Sequence, residues 1–160
     1  MQHAAIAVTL VGLLALGAPR AQPASPAAVP LIGEWQLNLA RTHYGPKVER
    51  RRSETLSCAD EKSQIACVVR SVRANGNIVT GRFSAALDGA VGRVTGIPDI
   101  DGVELRRSTG SIVDATFFAQ GKAAFAYRAF QAQDGRSLMM VTVDPVSRAA
   151  LTTVVVYDRR

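Results

Sequence analysis

The chain has 160 residues, 48% of them hydrophobic and 20% charged, and a formal net charge of +6 at pH 7. That length fits one domain and argues against a two-domain enzyme or a long repeat array. The balance of apolar and charged residues excludes wholesale disorder.

Met1 to Ala18 carries no Lys, Arg, Asp or Glu, and Ala4 to Gly17 is almost continuously apolar. The run is shorter than the ~20 residues a membrane-spanning helix needs, and it suits the apolar segment of a signal peptide. A small-residue, Pro-broken stretch follows, ending near Ala28. Residues 1–27 therefore read as a signal peptide with a Pro/Ala-rich cleavage region, and residues 28–160 as the folded domain. No other stretch is apolar enough to span a membrane, so no transmembrane span is expected in the mature protein. The expected location is the periplasm or the exterior of the cell.

From there the patterning has a period of two and almost no helical period. Trp35, Leu37 and Leu39 alternate with polar residues, and a polar strand is predicted from Arg50 to Cys58. Ile65 to Arg73 follows and ends at Asn75-Gly76-Asn77. Ile78 to Leu87 puts Phe83, Ala85 and Leu87 on one face and ends in Asp88-Gly89. Short strands are predicted over Ala90 to Thr95 and Val103 to Arg107. Ile112 to Ala119 sets Val113, Ala115, Phe117 and Ala119 on one face. Ala123 to Gln131, Leu138 to Val143 and Leu151 to Asp158 complete the set.

These are about eight to ten antiparallel strands joined by Asn-Gly, Asp-Gly and similar turns. With no helix between them, a parallel sheet is disfavoured. The residues alone leave a sandwich and an up-and-down barrel open.

Cys58 and Cys67 flank a polar turn. In a hairpin centred on Lys62-Ser63 they stand opposite each other, within disulfide reach, and an oxidising compartment favours the bond. Two cysteines and one mature histidine cannot build a closed zinc site, so no metal is expected.

Gly33-Glu34-Trp35-Gln36-Leu37-Asn38-Leu39 with Gly45-Pro46 resembles the opening of small secreted bacterial proteins described as lipocalin-like, calycin-type barrels. Leu87-Asp88-Gly89, Val94-Thr95-Gly96-Ile97-Pro98-Asp99 and the ending Val154-Val155-Val156-Tyr157-Asp158 look like the same family's middle and end. The resemblance implies a single closed antiparallel barrel and an envelope location, and no known reaction. It also implies structural roles for Gly33, Trp35 and a late basic residue, Arg159 or Arg160, laid across the indole. Fatty-acid-binding proteins share the start and end of this pattern. Here, however, Thr42 to Val48 is too short for their two lid helices, and Val155 stands where they carry a carboxylate-holding Arg.

Residues able to carry catalysis are thin. His43 has no partner that marks it as a base, and no G-x-S-x-G elbow occurs. Asp99-x-Asp101-Gly102 lacks the later ligands of a calcium loop. No cofactor is implied. The run Arg50-Arg51-Arg52 suits an anionic envelope surface or a solvated strand face. Nucleic acid is not expected, because no aromatic residues interleave with the basic ones.

Small side chains around Phe125 and Tyr127 can leave volume inside a barrel, and Phe83, Phe117, Phe125 and Tyr127 are the expected ligand-lining residues. The leading expectation is an exported barrel binding a small apolar or amphipathic molecule. The alternatives are an envelope interaction protein without a cavity, and a cofactor-free isomerase or cyclase using Tyr127, Asp114 or His43.

Overall fold

The computed structural model describes residues 28–46 and 48–160, so the expected signal peptide over residues 1–27 lies outside the described residues. Ten strands follow in chain order. They are β1 Gly33–Leu37, β2 Arg51–Glu61, β3 Gln64–Arg73, β4 Ile78–Ala85 and β5 Asp88–Thr95. The second half comprises β6 Gly102–Arg107, β7 Ile112–Ala119, β8 Lys122–Gln131, β9 Ser137–Val143 and β10 Ala150–Arg159. Each strand pairs antiparallel with its chain neighbour, and β10 returns to pair with β1, so the sheet closes as one up-and-down barrel. Closure removes the exposed edges a sandwich would leave.

Hairpin geometry follows from short turns. Lys62 and Ser63 both adopt positive φ, 52° and 69°, as a two-residue turn matched to the strand twist requires. That turn sets Cys58 opposite Cys67 in the β2–β3 ladder, with Cα atoms 4.1 Å apart and the sulfurs at disulfide distance. A bond closing so short a loop contributes about 2–3 kcal/mol in the chain-entropy account. β4 ends at Ala85 rather than Leu87. The turn into β5 starts earlier because the Asp88 carboxylate accepts the Ala90 N–H and Gly89 takes φ +91°.

One end of the barrel is closed by the chain's own entry. Leu31 is buried, and its carbonyl accepts the Trp35 indole N–H at 2.9 Å. Trp35 itself is 0% exposed. Its partners across the two seams are Leu56 in β2 and Arg159 in β10. Ile65, Ala85, Val113 and Leu138 fill the same end. Removing the indole is expected to cost about 3–5 kcal/mol, as for other buried aromatics.

The Arg159 guanidinium lies 4.4 Å from the Trp35 ring centroid, and its Nε donates to the Gly135 carbonyl at 2.9 Å. Gly33 makes this possible. Its φ is +133°, and a Cβ there would stand 2.7 Å from Arg159 Nη1. The stacked cation contributes about 0.5–1 kcal/mol at this exposed site.

The seam between β4 and β5 is the shortest stretch of ladder besides the β1–β10 closure, pairing only Arg82, Phe83 and Ser84 with Thr95, Val94 and Arg93. β5 crosses so close there that a Cβ on Gly92 would lie 1.9 Å from the Ser84 carbonyl oxygen. Gly92→Ala is therefore expected to force this seam apart and lower unfolding stability by about 2–3 kcal/mol, as measured by urea denaturation. An unchanged midpoint would contradict so tight a crossing.

Candidate functional site

Inward-facing side chains from most strands enclose a cavity of about 490 Å³. It opens at the end opposite Trp35, where Val48, Glu49, Arg73 and Val79 line it. One wall is aromatic. Phe117 stacks on Phe125 with ring centroids 4.7 Å apart, and Phe83 meets Phe117 edge-on at 5.4 Å. Tyr127 packs edge-on against Phe125 at 5.6 Å. All four expected lining residues thus face one space. Ala115 and Ala129 on the same strands leave it open, because their methyl groups do not reach across.

The opposite wall is polar and centres on Glu54, which is only 4% exposed. Its Oε1 accepts the Tyr157 hydroxyl at 2.5 Å and Arg51 Nη1 at 2.6 Å. The bonds supply what burial of a carboxylate requires, a paired charge and satisfied acceptors. Breaking such a pair from one side costs about 3–5 kcal/mol. Arg51 also stands beside the Tyr127 hydroxyl, and Tyr44 packs against the Arg51 backbone amide without completing a hydrogen bond. At the mouth, Arg73 Nη1 donates to Glu49 at 2.9 Å.

Period-two alternation would put Arg51 and Glu54 on opposite faces. The β2–β3 register shifts between Arg51 and Ser53, so Arg52 is an extra residue on β2. That bulge brings both Arg51 and Glu54 inward. The run Arg50-Arg51-Arg52 is thereby divided: Arg50 and Arg52 are exposed, and Arg51 lines the cavity. The sequence reading missed Glu54 and Tyr157 as site residues. A signal was present, since Glu54 is in phase with Leu56 and Cys58, and Tyr157 with Val155.

Burial shifts this cluster. The Tyr157 hydroxyl is raised well above its ordinary value, first by desolvation and then by the neighbouring Glu54 carboxylate. Tyr44 is raised in the same direction, chiefly by burial. For Arg51, burial opposes the charge, but Glu54 and the nearby tyrosines outweigh it and hold the guanidinium above its ordinary value.

The other residues considered for acid–base work lie elsewhere. Asp114 pairs with Arg128 on the outer face, Nε to Oδ1 at 2.8 Å, and that pairing raises Arg128. His43 is exposed in a bridge to Val154. Asp101 accepts the Gln120 N–H, fixing a turn. Among the described residues, no group of three or more His, Cys, Asp or Glu side chains is placed to hold a metal ion. No helix of the described residues is long and apolar enough to cross a membrane.

Comparison of the chain with known protein families, curated proteins and solved structures finds no match.

A tyrosine that keeps its proton longer folded than unfolded stabilises the fold fully below pH ~10, and that stabilisation is lost as pH rises. Tyr157→Phe is expected to lower stability by about 1–3 kcal/mol at pH 7. It should also reduce the alkaline slope above pH 10 by up to ~1.4 kcal/mol per pH unit. Urea unfolding from pH 7 to pH 11 checks both; the remaining slope belongs partly to Tyr44.

Proposed function

We propose that this is an exported lipocalin-like protein whose barrel binds one small apolar or amphipathic molecule. The observation that carries the reading is the cavity itself, with Phe83, Phe117, Phe125 and Tyr127 on one wall and the Arg51–Glu54–Tyr157 cluster on the other. Small-molecule sites have this composition: mostly apolar lining, with a few placed polar groups that fix orientation. A chain selected only for stability gains little from a buried ion pair, because well-packed apolar residues serve as well or better.

Three further features support the family and the address. The Gly33-x-Trp35 opening, with Arg159 over the indole, fits lipocalin-like barrels. The uncharged apolar run of residues 4–17 suits an export signal, and the Cys58–Cys67 pair suits an oxidising compartment. An envelope-surface role stays attached to the exposed Arg50 and Arg52.

Filling the cavity tests the binding reading without touching the polar cluster. Ala115→Phe puts a ring into the space beside Phe117. Binding of an uncharged environment-sensitive dye such as N-phenyl-1-naphthylamine is expected at one site per chain in the unaltered protein. The variant is expected to bind at least tenfold more weakly while its circular dichroism spectrum stays that of a β-barrel. Undiminished dye binding would place the dye outside the barrel and remove the main support for the reading.

A further inference from the structure

Both hydrogen bonds to Glu54 fall on Oε1, and no side chain or amide among the described residues donates to Oε2. This carboxylate is almost wholly withdrawn from solvent, yet it lines the cavity with one oxygen uncommitted. Oε2 faces the open cavity, where a water or a ligand group can donate to it. Arg51 commits Nη1 to Glu54, and the rest of its guanidinium stands next to the Tyr127 hydroxyl and the cavity. An acceptor and a donor therefore sit side by side on the wall of an otherwise apolar, aromatic-lined space.

The charges here are balanced. Arg51 is matched by Glu54, and at the mouth Arg73 is matched by Glu49. An anionic head group approaching Arg51 meets the Glu54 carboxylate on the same guanidinium. A cationic head group approaching Glu54 meets Arg51 in the same way. Neither charge finds an uncompensated partner, and each would lose its hydration on entry. A hydroxyl group fits both neighbours, since it donates one hydrogen bond and accepts others.

We infer that the cavity takes a neutral molecule with an apolar body and one hydroxyl group, an alcohol or a phenol, which donates to Glu54 Oε2 and accepts from Arg51. The inference rests on the binding reading above and narrows it to a ligand class. The stacked Phe117 and Phe125 rings favour a flat, ring-bearing body over a flexible chain.

Isothermal titration at pH 7.5 with four probes on one ring skeleton tests this: 2-naphthol, 2-naphthoate, 2-naphthylmethylammonium and naphthalene. Expected is 2-naphthol binding about five- to tenfold more tightly than naphthalene, the gain of one or two well-placed hydrogen bonds. Both charged probes should bind at least tenfold more weakly than 2-naphthol. In Glu54→Gln, the advantage of 2-naphthol over 2-naphthoate should fall to threefold or less, because the repelling charge is gone. The ranking in the unaltered protein decides the matter should that variant not fold. A preference for 2-naphthoate, or equal binding of 2-naphthol and naphthalene, would overturn the ligand class while leaving a binding barrel in place. Failure of all four probes to bind would overturn the binding reading together with the inference.

Discussion

The whole structure depends on a short seam. β1 has five residues, and it carries the hydrogen bonds of β2 on one side and β10 on the other. Trp35 sits in the middle of it, opposite Leu56 and Arg159. If these ladders did not form, the sheet would expose two long edges and the inward faces of ten strands would have no common interior. The indole explains why so short a strand can hold. It buries completely, ties its N–H to Leu31 and lies under Arg159, so one side chain fastens the chain's entry and its end together.

Closure at that end also decides where the space lies. Trp35 and Leu31 plug that end, and along β7 and β8 small and large inner residues then alternate towards the mouth, Ala115 before Phe117 and Ala129 before Tyr127 and Phe125. The cavity is the space that Ala115 and Ala129 leave between that plug and the aromatic rings. Its polar wall is then a product of one backbone irregularity. The bulge at Arg52 turns Arg51 inward and sets it within reach of Glu54, three residues on, and Tyr157 reaches the same carboxylate from across the β1 strand.

Most of the strands were legible because period-two patterning survives wherever one face meets the core. Ile112–Ala119 shows it plainly: Val113, Ala115 and Phe117 are buried, and Asp114 turns outward to Arg128. The turn residues marked most of the boundaries, and the ring count fell within the expected eight to ten. The aromatic lining was legible for the same reason. The polar cluster was not. Alternation counted from Arg50 gives the wrong face for Arg51, since a bulge has no reliable signature in a single sequence, and three arginines in a row look like a solvated strand. Tyr157 was read only as part of a terminal motif. Its partner Glu54 is distant in sequence, and only closure of the barrel makes them neighbours.

The most direct test of the account is the seam that closes the ring. In a uniformly labelled protein, backbone nuclear Overhauser contacts should link Trp35 with Arg159 and Gln36 with Asp158 on one side, and Trp35 with Leu56 on the other. The account predicts both sets of contacts in the same molecule, with β1 amide protons protected from exchange. Contacts to β2 alone, with the β10 amides exchanging freely or paired elsewhere, would show an open sheet and contradict it.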